Sequence, residues 1–335
     1  MTGASLLSSV GLGLALLGAP AGAPPPDQLA FASFRDGAAA IYVVNDDGTG
    51  LRRLTRSAGD DIDPTWCPDG KTIAFTSERD GNQELYLMNG DGSGQKNLTR
   101  NPGADCYPWW SPDGKQIAFA GDRGGNSEIY ICQKDGTGLL NVSNNPSWDS
   151  LPVWSPTGDR LAFLTDRDKN QEIMVCKPDG SEAVNVSRHE AWDGDPRFSP
   201  DGKSVIFRTH RDGNIGLYLR PLADLDLINV SGNNVWNEEA DWHPDGTKIV
   251  YASSPGDNRE IIVQDLAANT KTNLTNNTTN EWAPQWSPDG RKIAFLSDRT
   301  GETRLYVMQA DGTGAREVSG GPVVDHPGAW RPKAG

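Results

Sequence analysis

Acidic side chains recur in this chain at a fixed interval and are the first residues that could do chemistry. Asp61, Asp105, Asp149, Asp193, Asn237, Glu281 and Asp325 follow one another in steps of 44 residues. Gathered in a ring, such carboxylates would hold a cation such as calcium, or a basic ligand. A second column, at Arg35, Arg79, Arg123, Arg167, Arg211, Pro255 and Arg299, keeps the same step. The unit with Asn237 in place of an acid is also the unit with Pro255 in place of Arg. That joint loss points to each acid pairing with the Arg of its own unit, which is a structural use of the ring.

Positions that differ from unit to unit are better placed to serve a ligand. Trp148, Trp192 and Trp236 stand just before the acid in three consecutive units, and Trp282 follows Glu281. Asp195, Glu238 and Glu239 lie close by in sequence, and Tyr107, Arg197 and His326 fall in the same part of the repeat. Aromatic side chains with acidic neighbours suit stacking on a sugar ring, a cationic side chain or a peptide with basic groups. The competing use, in which these indoles cover the ends of neighbouring units, stands beside it. Catalysis has little support. His189, His210, His243 and His326 occupy four different positions of the repeat, His210 in a turn and His243 in an inner strand. No G-x-S-x-G elbow occurs. Cys132 and Cys176 hold one position in consecutive units, too far apart to bond, and no C-x-x-C spacing suggests zinc.

The elements that must position these residues follow from the same repeat. Trp66, Trp110, Trp154, Phe198, Trp242, Trp286 and Trp330 form one column, read as a packing anchor. In the second unit, apolar bursts at 63–66, 72–76, 84–88 and 96–99 read as short strands separated by Gly, Asp and Asn. Pro68-Asp69-Gly70 and its copies form a tight hairpin between the first two strands, and Asp91-Gly92-Ser93-Gly94 marks a later turn. Asn97, Asn141, Asn185, Asn229 and Asn273 begin Asn-x-Ser/Thr triplets in the same step, so they belong to the fourth strand and are not scattered glycan acceptors. No stretch reads as a helix. Four-stranded units of this length in tandem predict a β-propeller. The chain starts its first unit at the second strand and has one first strand left over near Trp330, so that strand completes the first unit. The prediction is an all-β, seven-bladed propeller of four-stranded antiparallel blades.

The run Asp105-Cys-Tyr-Pro-Trp-Trp-Ser-Pro-Asp-Gly-Lys-Gln-Ile-Ala-Phe119, with Arg79-Asp-Gly-Asn82 and the Asp-Gly-Thr-Gly turns, resembles the WD40-like (PD40) repeat of the TolB-like propeller family. The resemblance covers residues 28 to 332. It departs from TolB itself in lacking an α/β domain ahead of the propeller and in having seven blades where TolB has six. The family also includes oligogalacturonate lyases, in which several His hold a metal, and the histidines here assemble no matching cluster.

Composition bounds the partners. The chain has 335 residues with 31 basic and 45 acidic side chains, a formal net charge of −14. That balance disfavours nucleic acid and favours cationic groups. Residues 1–23 carry a leucine-rich run and small residues like those of a signal peptide, without a basic start, and otherwise read as a disordered beginning. No run is long and apolar enough for a transmembrane helix. The expectation is a monomeric periplasmic or secreted propeller at 24–335, a non-catalytic scaffold binding a protein or peptide at the channel mouth, with no required cofactor. The alternative is a carbohydrate-binding or metal-dependent polysaccharide-processing propeller enzyme.

Overall fold

The computed structural model describes residues 27–224, 226–232, 235–323 and 328–333. His326, Asp325 and the leader-like residues 1–23 lie outside the described residues. All regular structure among the described residues is strand, arranged as seven four-stranded antiparallel sheets. Six sheets are built from consecutive strands. The seventh, blade 1, takes three strands from 28–53 and its innermost strand, Ala329–Trp330, from the far end of the chain. The ring is thereby closed, leaving no inner edge at the junction to pair with another chain.

The blades form for local reasons visible in blade 2. Its strands Asp61–Trp66, Thr72–Ser77, Glu84–Asn89 and Lys96–Asn97 pair in order. Ile73, Ala74, Phe75, Leu85, Leu87 and Met88 are buried, because a blade packs on both faces against its neighbours. Between the first two strands, Gly70 adopts φ +63 in the Pro-Asp-Gly turn, a left-handed conformation that glycine accepts without strain. Each Trp anchor fills a seam. Trp110 sits among Leu85, Leu87 and Leu98 of blade 2 and Ile117, Phe119 and Cys132 of blade 3, and its indole N–H donates to the Thr65 carbonyl at 3.2 Å. The four cysteines are free thiols.

Ring closure is fastened by charge as well as by strand pairing. Arg331 donates to the Gly70 carbonyl at 2.7 Å and to Gln28 at 2.8 Å, and lies over Trp66, so it ties blade 1 to blade 2. On the other side, Lys333 pairs with Asp289 of blade 7 at 2.6 Å, and Lys292 of blade 7 pairs with Asp46 of blade 1.

The innermost strands are not regular. Each of those in blades 2 to 7, Asp61–Trp66, Asp105–Trp110, Asp149–Trp154, Asp193–Phe198, Trp236–Trp242 and Glu281–Trp286, carries a register shift after its second or third residue. At the shift a non-glycine residue takes a left-handed φ of 51 to 57°: Asp63, Tyr107, Leu151, Asp195, Glu239 and Ala283. A bulge of this kind re-aims side chains, and holding a non-glycine residue there costs on the order of 1 kcal/mol or more.

Candidate functional site

The acid column does not ring the channel mouth. Asp61, Asp105, Asp149, Asp193 and Glu281 are 0% exposed, and each reaches the Arg of its own blade: Arg79 at 3.0 Å, Arg123 at 2.6 Å, Arg167 at 3.2 Å, Arg211 at 3.4 Å and Arg299 at 3.1 Å. The arginines lie along the Phe and Tyr rings of the second and third strands, as Arg79 does over Tyr86 at 4.4 Å. A first residue of the innermost strand thus points into the blade and is sealed by its own turn, which removes it from any ligand's reach. In blade 6 the ion pair is missing and the hydroxyl bond that blades 2 and 7 also make is kept, Ser253 donating to Asn237 at 2.8 Å.

Blade 3 has the shortest of these ion pairs but lacks a hydrogen bond that the others have. Blades 2, 4, 5 and 7 place a hydroxyl, Ser77, Thr165, Thr209 or Ser297, beneath the arginine Nε at 2.8 to 3.0 Å. Blade 3 has Gly121 there. Arg123 Nε and one Asp105 oxygen are consequently buried without a partner. Burial pushes the Asp105 carboxyl up to about 7, with Arg123 opposing. The same desolvation raises Asp149 and Asp193.

The channel itself is lined by four of the bulged residues, Asp63, Tyr107, Leu151 and Asp195, and by the residues two positions beyond the bulges. A cavity of about 530 Å3 is walled by Asp63, Thr65, Tyr107, Trp109, Leu151, Val153, Asp195, Arg197, Asp241 and Gln285, and runs down to the Trp anchors and Pro156. The second of these columns reads Thr65, Trp109, Val153, Arg197, Asp241, Gln285 and Ala329. Seven blades supply seven different side chains there, one residue before an anchor that is Trp in six and Phe in one. A scaffold position would repeat; this one does not.

Three carboxyls at or beside this cavity are pushed upward. Burial raises Asp63 to about 6, with Thr76 the donor that opposes it. Burial raises Asp241 to about 6, against the amide of Trp286, which donates to it at 2.8 Å, and the nearby charge of Arg197. Glu239 is raised to about 7 by burial, despite the Ala283 amide donating at 2.6 Å, and the charges of Glu238 and Asp195 add to the rise.

The residues singled out in the sequence divide into groups. Tyr107, Asp195 and Arg197 line the cavity, and Glu239 sits at a bulge beside Asp195. Trp148 and Trp236, 37% and 49% exposed, stand outside the cavity wall. Trp192 is held under Arg208, whose guanidinium lies 4.4 Å from the ring centroid and pairs with Asp195 at 2.9 Å and Glu238 at 3.4 Å. Trp282 is only 8% exposed and belongs to a core cluster with Ala252 and Leu296, because it precedes the bulge and faces the packing between blades. It is a core residue. His243 follows the inner strand, against Trp286. Sequence reasoning passed over Asp63, Trp109 and Asp241, which lie in the same two columns as Tyr107, Asp195 and Arg197; reading every unit at those columns would have found them. Among the described residues no three His, Cys, Asp or Glu are grouped to hold a metal ion.

A closed ring of seven four-stranded blades around a channel with unlike walls defines a β-propeller with one asymmetric central site. The PD40 family, the TolB beta propeller domain, matches residues 9–94, 78–150, 137–282 and 236–334, and the chain belongs to that family. TolB from Acinetobacter baumannii is 19% identical, with a TM-score of 0.57 over 91% of this chain and 82% of that one. An oligogalacturonate lyase from Vibrio parahaemolyticus is 15% identical, with a TM-score of 0.65 over 84% and 85%. A puromycin-hydrolyzing peptidase from Mycobacterium tuberculosis is 12% identical, with a TM-score of 0.69 over 87% of this chain and 53% of that one, so this chain spans about half its length. At these identities the likeness is one of fold.

Proposed function

We propose that this propeller is a non-catalytic binding scaffold of the cell envelope whose ligand is a protein segment or peptide with basic groups, received in the central channel. The observation that carries the reading is the contrast between two adjacent columns, one repeating an anchor and the other presenting a different side chain from every blade. Carboxyls held in a partly dry channel favour a partner that brings positive charge, since a cation offsets the desolvation that raises them. Tyr107 and Trp109, both exposed in the channel, supply apolar faces on which a Lys or Arg stem can lie. The leader-like residues 6–17 and the TolB kinship support an exported location.

The test is direct binding of N-terminally labelled peptides, basic, neutral and acidic, measured by fluorescence anisotropy. Basic peptides should bind and acidic ones should not. Asp241→Asn keeps the acceptor for the Trp286 amide but removes the charge, and should weaken basic peptides by about tenfold or more, the worth of one charge-assisted hydrogen bond. Equal binding by the variant would count against the channel.

The second reading, a carbohydrate ligand or a metal-dependent polysaccharide-processing activity, draws on the exposed indoles of Trp148 and Trp236. Binding on a glycan array that disappears in Trp236→Ala would select it.

A further inference from the structure

Arg197 stands apart from the other arginines near the ring. Arg79, Arg123, Arg167, Arg211 and Arg299 are each committed to an acid of their own blade. Arg208, one strand away, is stacked on Trp192 and paired with Asp195 and Glu238. Arg197 projects from the innermost strand into the cavity wall and, among the described residues, has no carboxylate within 4.0 Å. One Nη1 hydrogen is used on the Pro196 carbonyl at 3.1 Å. The guanidinium lies over the Trp109 ring, 5.4 Å from its centre. A guanidinium carries five N–H donors in a rigid fork matched to a planar carboxylate. Only the Pro196 carbonyl is bonded to the Arg197 fork among the described residues, and it stands at the wall of a cavity in which hydrogen bonds are worth more than in bulk water.

The next blade supplies the complement. Asp241 is near enough for Arg197 to lower its proton affinity, yet the two form no contact pair. A gap between opposite charges on neighbouring blades fits a ligand that carries both charges. The lining has no second cation among its described residues, so the acceptor of a ligand's negative charge falls to Arg197 alone.

Resting on the basic-peptide reading above, we infer that Arg197 is the receptor for a carboxylate, and that the ligand is a peptide C-terminus ending in Lys or Arg. The terminal carboxylate takes the Arg197 fork, and the last side chain's cation lies toward Asp241. A residue-sized group suits a cavity of about 530 Å3. Such a site also explains why the column before the anchors is asymmetric: a chain end is recognised in one orientation only.

The experiment compares three N-terminally labelled peptides on the full chain: one ending in Lys with a free carboxylate, the same peptide amidated, and an amidated peptide with an internal Glu beside the Lys. Wild type should bind the free acid about 10- to 100-fold more tightly than the amide, the range for a hydrogen bond to a charged group. Arg197→Gln should erase that difference at an unchanged melting temperature, and Arg197→Lys should restore part of it. Equal binding of acid and amide by wild type would overturn the carboxylate receptor and leave the basic-peptide reading standing. Binding of the internal-Glu peptide as tight as the free acid would keep Arg197's role but discard the chain end as its source. If no basic peptide binds wild type at any ionic strength, the reading and the receptor both fall. Should Arg197→Gln unfold, the acid-to-amide ratio on wild type still decides.

Discussion

Trp110→Ala should destabilise the propeller by about 3 to 5 kcal/mol, the range for removing a large aromatic from a packed core. Trp110 is 4% exposed and fills the seam between blades 2 and 3, where its ring contacts apolar side chains from both sheets. Neighbouring blades cannot collapse into the gap, since each is fixed by the closed ring. The loss also takes the indole N–H from the Thr65 carbonyl. Spread over a chain of this size, the melting temperature should fall by about 5 °C or more. Trp110→Phe is the control, because blade 5 already places Phe198 at this position with the side chain buried. Calorimetry showing the same melting temperature for Trp110→Ala and wild type would remove the anchor role. Peptide binding by the surviving folded fraction should be unchanged, as the anchor ring faces the seam.

The anchor column was legible in the sequence because one chain samples every position seven times. Strand order, the Pro-Asp-Gly hairpins and the closing strand near Trp330 were all readable, since turn chemistry and apolar spacing agree within each unit. The Asp–Arg pairing was readable from the coincidence of Asn237 with Pro255. What the sequence did not disclose is which way the inner strand turns its side chains. Simple alternation would place Asp105, Tyr107 and Trp109 on one face, but the bulge at Tyr107 breaks the parity. Asp105 is therefore sealed in the blade while Tyr107 and Trp109 reach the channel. The corresponding bulge in blade 7 separates Glu281, which is buried, from Gln285, which lines the cavity. Bulged residues such as Tyr107, Leu151 and Glu239 carry no glycine to announce their left-handed backbone, so composition gives no warning of them.

The buried clasp of blade 3 should make stability depend on pH in a defined sense, and Arg123→Met exposes it. In wild type the Asp105 carboxyl is raised to about 7, far above the value of a solvated aspartate. A carboxyl with a raised folded-state value binds its proton more tightly folded than unfolded, so its contribution to stability is present at low pH and is lost as pH rises from about 4 to about 7. Arg123 is the cation that limits this loss, and with Gly121 in place of a Ser or Thr only the Thr99 hydroxyl is left to assist it. Without Arg123 the carboxyl must either stay charged and unpaired in the blade or take up a proton against a falling proton concentration. At pH 8 the variant should lose about 3 to 5 kcal/mol, the cost of breaking a buried pair by removing one partner. At pH 5, where Asp105 is already protonated in both proteins, the loss should shrink to that of the packing over Tyr130 and Phe119. The corresponding change in blade 7, Arg299→Met, should show a smaller pH dependence, because Glu281 keeps donors from Ser297, Thr279 and Asn277. Denaturant unfolding of both variants at the two pH values decides the matter: a loss in Arg123→Met that is the same at pH 5 and pH 8 would mean that Asp105 carries no strained charge, and that the arginine column acts by packing alone.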